Sequence, residues 1–214
     1  MARRLPVYII LDTSHSMGGE PIRAVHDGMK MLVNSLMDYP EALETAYLSI
    51  VAFSTHAQQI LPLTELSQIV LPKLTAKGWT ALGEALKVVT ESAKKEVAKN
   101  TLDTKGDWKP MVFIMSDGHA TDNLNSGIEI FKQYKWGVVV ACAVGKVQAK
   151  GLAELQSITS NVIQLEEADS TSIKEFFKWI SQSIISNSVS VGVGNDNITK
   201  MEQLPPIPSK IALV

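Results

Sequence analysis

The chain has 214 residues, 45% of them apolar, enough for one ordinary hydrophobic core without requiring a second domain. Twenty basic and 22 acidic side chains are spread along it for a net charge of -2, which gives no long-range field for nucleic acid or an anionic membrane. A lone cysteine, Cys142, rules out an internal disulfide, and no apolar run approaches the roughly 20 residues of a membrane-spanning helix.

Residues 6–11 form an apolar run that reads as a buried strand. Arg3 and Arg4 precede it, but the run stops too soon, at Asp12, to serve as a cleavable export signal, so a soluble, cytoplasmic protein is expected. The loop that follows holds Asp12, Ser14 and Ser16 at alternate positions. In an extended segment they share one side, and Thr13 and His15 take the other. One carboxylate and two hydroxyls suit a hard cation, whereas zinc and copper prefer nitrogen or sulfur. A Ser-rich turn capping the next helix accounts for the same residues without any ligand. Gly18 and Gly19 allow the turn, and Pro21 marks the first helical residues.

Ile22, Val25, Met29, Leu32, Val33 and Leu36 recur at helical spacing until Asp38, Tyr39 and Pro40 end the helix. Residues 45–53 read as a strand, and 58–61 as a short antiparallel return at the sheet edge. Residues 63–77 suggest a short helix and a loop. Thr80 then stands just before a second amphipathic helix carrying Leu82, Leu86, Val89, Ala93 and Val97, with Glu84, Lys87, Glu91, Lys94 and Lys95 as its solvated face. As a plain helix cap Thr80 lacks support, because Gly83 stands where a capping box has an acid or amide.

After a polar connection, residues 111–115 form a second apolar strand that also ends in a carboxylate loop, with Ser116, Asp117, Gly118, Thr121 and Asp122. Thr121 or Asp122 is placed to cap the third helix, which carries Leu124, Ile128, Phe131 and Tyr134. Residues 136–144 are continuously apolar, as in a parallel strand covered on both faces, and Cys142 within them reads as a small buried side chain. A helix over 152–158, a strand over 161–165 and a last helix carrying Ile173, Phe176, Phe177, Ile180 and Ile184 complete an alternating α/β pattern.

The expected domain spans 1–186. The proline-containing tail, 187–214, reads as partly ordered, or as docked on a partner or on the domain itself. Within it, Gly192 and Gly194 lack the third glycine of a dinucleotide loop, and the glycosylation pattern at Asn197 carries no weight in a chain that is not exported.

Taken together, Asp12, Ser14 and Ser16, then Thr80 before its helix, then Ser116, Asp117 and Gly118 after a strand, resemble the metal-ion-dependent adhesion site (MIDAS) of von Willebrand factor A domains. The resemblance spans about residues 5–186. It implies a Rossmann-like, mostly parallel central sheet with one antiparallel edge strand and helices on both faces. It further implies a divalent ion, magnesium with manganese or calcium as alternatives, held by Asp12, Ser14, Ser16, Thr80 and Asp117. A partner's Glu or Asp would complete the coordination. In such a sheet ligands lie beyond the carboxyl ends of the strands, where the chain order reverses. Asp12 and Asp117 converge there if their strands are neighbours, and two carboxylates then balance a dication while the neutral hydroxyls fill further positions.

The loop from Ser116 to Asp122 further resembles the bacterial tellurite-resistance (TerY) type, which implies a stress-response setting with a protein kinase and a phosphatase as partners. Ala120 and Trp79 depart from that group, in which proline and glycine are frequent at these places.

Two other functions compete with a non-enzymatic protein-binding module. A magnesium phosphotransferase would use Asp12 as nucleophile, but Ser14 stands where haloacid-dehalogenase-type phosphatases place their general acid. An adaptor subunit of an ATPase complex needs an outside source of hydrolysis, since the chain has no glycine-rich phosphate loop. His15, His26, His56 and His119 show no paired metal spacing and read as loop or surface residues.

Overall fold

A computed structural model describes residues 3–192, 204–208 and 211–214. The strands are β1 (Leu5–Asp12), β2 (Ala46–Phe53), β3 (Ala57–Glu65), β4 (Met111–Ser116), β5 (Val139–Val144), β6 (Val162–Leu165) and β7 (Ile211–Leu213). The helices are α1 (Glu20–Met37), α2 (Pro40–Thr45), α3 (Leu82–Glu96), α4 (Leu124–Lys132), α5 (Ala149–Ile158) and α6 (Ser170–Gly192).

The strands form one sheet in the order β3-β2-β1-β4-β5-β6-β7, parallel from β2 to β6 and antiparallel at both edges. The mostly parallel sheet with helices on both faces matches the sequence reading. The difference lies at the edges, where β7, from the proline-containing tail, adds a second antiparallel strand opposite β3.

Strand β1 is buried along its whole length, and its alternation serves two cores. Val7, Ile9 and Leu11 pack toward α1 and α6, with Val25, Leu32, Phe177 and Ile180. Tyr8 and Ile10 pack toward α3, α4 and α5, with Leu86, Val89, Phe131 and Leu155. A strand walled on both sides must be apolar throughout, which explains the uninterrupted runs in β1, β4 and β5. Cys142, fully buried in β5, has its thiol pushed well above the usual range by burial alone and serves as core packing.

Gly28 lets α1 lie close against α6, since a Cβ there would run into the Phe177 ring. Helix α6 runs past residue 186 to Gly192. Ser181 and Ser183 tolerate burial by donating to the carbonyls of Phe177 and Trp179 one turn earlier, and Asn187 donates Nδ2 to the Ser183 carbonyl at 2.7 Å, bonds that hide from a reading of polar and apolar residues; Ser188 Oγ is buried without a partner among the described residues. Part of the tail docks on the domain's own surface: Leu204 and Ile207 join the apolar cluster beneath α6, and Trp179 Nε1 donates to the Pro205 carbonyl at 3.0 Å. Gly194 and the Asn197 pattern lie outside the described residues. No helix among the described residues is long and apolar enough to cross a membrane.

Candidate metal centre

β1 leads to β2 on one side of the sheet, and β4 lies on the other, so the chain order reverses between β1 and β4. The loops that follow these two strands therefore face each other at a switch point of the kind that binds ligands in open α/β sheets. In register, Leu11 pairs with Met115, which brings Asp12 and Ser116 alongside.

Asp12 is fully buried, and both its carboxylate oxygens are engaged. Oδ1 accepts from the Ser14 amide at 2.8 Å and Oδ2 from the Ser116 hydroxyl at 2.5 Å. Beyond Ser14 the loop does not stay extended but turns through one 3-10 turn, His15–Met17. The turn still brings the hydroxyls together, with Ser14 Oγ 3.0 Å from Ser16 Oγ, and Ser16 Oγ donates to Asp117 Oδ1 at 2.8 Å. That last bond closes a gap of 101 residues in sequence.

Thr80 enters from a third loop, which is tied to its neighbours by backbone bonds. His15 N donates to the Gly78 carbonyl, Lys77 N to Thr13 and Ala81 N to Ser54, all between 2.8 and 3.0 Å. Gly78 supports this with φ +72°, a conformation that suits glycine. Thr80 is 7% exposed, and its Oγ1 has no hydrogen-bond partner among the described residues. The same oxygen lies 3.9 Å from the position a Cβ would take on Gly118, beside Asp117. Thr80 is not the cap of α3; Ala81 stands at that position.

The electrostatics are those of two carboxylates set close together and largely removed from solvent. Burial pushes the Asp12 carboxyl up to about 6, its bonds to Ser116 and Ser14 pull it down, and Asp117 pushes it further up. Asp117 is also raised, mainly by burial, against the bond from Ser16. Two carboxylates, two serine hydroxyls and an unpartnered threonine hydroxyl, with no nitrogen or sulfur ligand, form a donor set that fits a hard divalent ion. Among the described residues no cluster of three or more His, Cys, Asp or Glu side chains offers an alternative.

Four residues outside the expected ligand set hold the site together. Ser116 binds Asp12, as described. Thr121 clasps the Thr80 peptide from both sides, its amide donating to the Thr80 carbonyl and its hydroxyl accepting from the Thr80 amide. Asp122 does not cap α4: that cap is Asn123, which accepts from the Ser126 amide. Asp122 instead accepts from Gly83 N at 3.0 Å and Glu84 N at 2.7 Å, capping α3 from a distant loop. Glu154 of α5 accepts from the Ala120 amide at 2.7 Å and so ties down the loop that carries Asp117. Ser116, Thr121 and Asp122 stand in the loop that the sequence marks, but their partners lie about 40 or about 100 residues away. For Glu154 the one local hint is that Ala120, unlike a proline, keeps an amide to donate.

A model of the von Willebrand factor type A domain matches residues 7–179. No curated protein sequence is significantly similar to the chain. Among solved structures, a von Willebrand factor type A protein from Catenulispora acidiphila superposes with a TM-score of 0.63 at 17% identity, over 86% of this chain and 43% of that one. The pilus adhesin SpaC of Lactobacillus rhamnosus GG gives 0.66 at 14% identity, over 86% and 31%. Proximal thread matrix protein 1 of the mussel byssus, with a zinc-occupied MIDAS motif, gives 0.58 at 16% identity, over 89% and 46%. At these identities the likeness is one of fold, and this chain spans less than half the length of each of the three.

Proposed function

This chain belongs to the von Willebrand factor type A family, and from that premise we propose that it is a non-enzymatic protein-binding module. In this reading Asp12, Ser14, Ser16, Thr80 and Asp117 hold a divalent cation, and the cation captures an acidic side chain of a partner. The observation that carries the reading is the bond from Ser16 to Asp117, which joins the loops after β1 and β4 beside a buried Asp12 and a Thr80 hydroxyl without a protein partner. A dication compensates two carboxylates that are otherwise crowded and desolvated, and its residual charge attracts an external carboxylate. The all-oxygen donor set favours magnesium over zinc, although the mussel protein carries zinc in its own motif.

The geometry argues against phosphoryl transfer to Asp12. A general acid is missing two residues on, where Ser14 stands and its hydroxyl faces Ser16 at 3.0 Å. The tellurite-resistance type that the loop from Ser116 to Asp122 resembles supplies the cellular setting of the proposal: a cytoplasmic stress-response system with a protein kinase and a phosphatase as partners.

Titration calorimetry with magnesium on the full chain and on Asp117→Ala tests the site. Loss of a ligand should cost more than the roughly 10- to 100-fold typical of residues that only support ligands, with an unchanged far-ultraviolet spectrum. Equal affinity in the two proteins would overturn the reading.

A further inference from the structure

Trp79 is 69% exposed beside Thr80, whereas Trp108 and Trp179 are buried and Trp136 is half-buried. A fully mobile loop would explain such exposure, but this backbone is held. Trp79 N donates to Thr55 Oγ1 at 3.3 Å, and the residues on either side are tied by the Gly78 and Ala81 bonds to the first loop and to Ser54. The fold thus presents an indole to solvent from an anchored position.

From Gly78, its neighbour in the chain, a cavity of about 530 Å³ opens between Thr55, His56, Ala57, Gln58 and Lys77, and Trp79 stands outside its lining. The charged groups on this flank favour an acid-bearing visitor. Lys77 is exposed, and the nearby acid Glu84 has its carboxylate 3.5 Å from His56 Nδ1. On the far flank, Lys146 stands in the loop after β5, and the acids Glu166 and Glu167 stand in the loop after β6.

We propose that Trp79 and the adjoining cavity form a second contact of the binding site, taking a bulky apolar side chain of the same partner segment that offers its acid to the metal. The partner is a protein segment with an aromatic or long aliphatic residue one to three positions from the metal-binding Asp or Glu. The spacing follows from the site itself. Trp79 and Thr80 are consecutive, with Cα atoms about 3.8 Å apart, and their side chains diverge, Thr80 buried and Trp79 exposed, so an extended partner advancing roughly 3.3 Å per residue spans both within a few residues. An exposed indole on a held backbone, next to a charged anchor, is the kind of residue that dominates binding energy at interfaces. The inference rests on the metal-clamp reading and adds the partner's second determinant.

The test is selection of a random heptapeptide phage library on the immobilised full chain in magnesium, with elution by chelator, in parallel on Trp79→Ala and Asp117→Ala. Sequences eluted from the unmodified chain should pair an acid with a bulky apolar neighbour. Trp79→Ala should keep the acid and lose the apolar preference, and Asp117→Ala should yield neither. A synthetic peptide of the enriched sequence should bind Trp79→Ala about tenfold more weakly, with Trp79→Phe close to the unmodified chain. Acidic sequences without an apolar preference, or equal enrichment on Trp79→Ala, would overturn the second contact and leave the metal clamp standing. No chelator-eluted acidic sequences at all would overturn the clamp reading and this inference with it.

Discussion

Strand β1 has a buried carboxylate near each end, and the two are held in opposite ways. At its start, Asp107 has a side chain only 5% exposed and is fully answered: Arg4 donates Nε to Oδ1 at 2.9 Å and an amino group to Oδ2 at 2.5 Å, and the Ala98 amide adds 2.7 Å. At its finish, Asp12 is equally hidden but receives one hydroxyl and one amide and no cation. The first arrangement is a closed structural ion pair. The second leaves negative charge in a dry pocket with a second carboxylate close enough to oppose its ionisation. The protein's own guanidinium neutralises one end of the strand, and in the proposed reading a divalent cation does so at the other.

The comparison can be broken most forcefully at the closed end. Arg4→Ala strands Asp107 without its partner, and a loss of about 3 kcal/mol or more is expected in urea unfolding, because a buried charge left alone costs more than the pair contributes. Magnesium affinity should not change. A loss below about 1 kcal/mol would show that solvent already screens Asp107.

The open end should respond with the opposite sign. The Asp12 carboxyl, raised from 3.8 to about 6 in the folded chain, binds its proton more tightly folded than unfolded. Its contribution to stability is full below about pH 4 and is lost as pH rises through 6, a change of roughly 3 kcal/mol in the metal-free protein. Asp12→Asn keeps a neutral side chain of the same shape and should remove this dependence, leaving the metal-free variant more stable at pH 7 while it no longer binds magnesium. Unfolding with chelator present between pH 4 and 7 measures both. An unchanged slope in Asp12→Asn would show that the strain lies elsewhere.

The smallest effect sharpens the comparison from the side. Glu154 touches none of the five expected ligands and reaches their loop through the Ala120 amide, its other contact being Lys150 one turn back at 3.9 Å, so Glu154→Ala should weaken magnesium binding about tenfold. Glu154→Gln retains an accepting oxygen and should restore most of the affinity, and Ala120→Pro, which removes the donor, should make Glu154→Ala silent. Additive losses in calorimetry would mean that Glu154 does not position the loop.

Much of this molecule can be read in the order of its residues. The apolar runs at 6–11 and 111–115 become β1 and β4, and the spacing of Val25, Met29, Leu32 and Leu36 becomes the buried face of α1. The oxygens at 12, 14 and 16 announce themselves by alternation. Other features stay hidden for a stated cause. Asn187, where polarity suggested that α6 ends, satisfies its amide at the Ser183 carbonyl one turn back, as Ser181 and Ser183 satisfy their hydroxyls at Phe177 and Trp179, so the helix runs on. Asp122 lies next to α4 in sequence, yet it caps α3, whose amides stand 38 and 39 residues away.

What the amino-acid order determined alone is whatever depends on neighbours within a turn or a strand: the periods of helix and sheet, the apolar character of strands walled on both faces, and the supply of hard oxygen donors at strand ends. Which oxygens meet was decided only by tertiary structure. Ser16 reaches Asp117, and Ser116 reaches Asp12, because β4 lies against β1 with the chain order reversing between them. A hydrogen bond spanning about a hundred residues depends on strand adjacency and register, which no local pattern of side chains encodes.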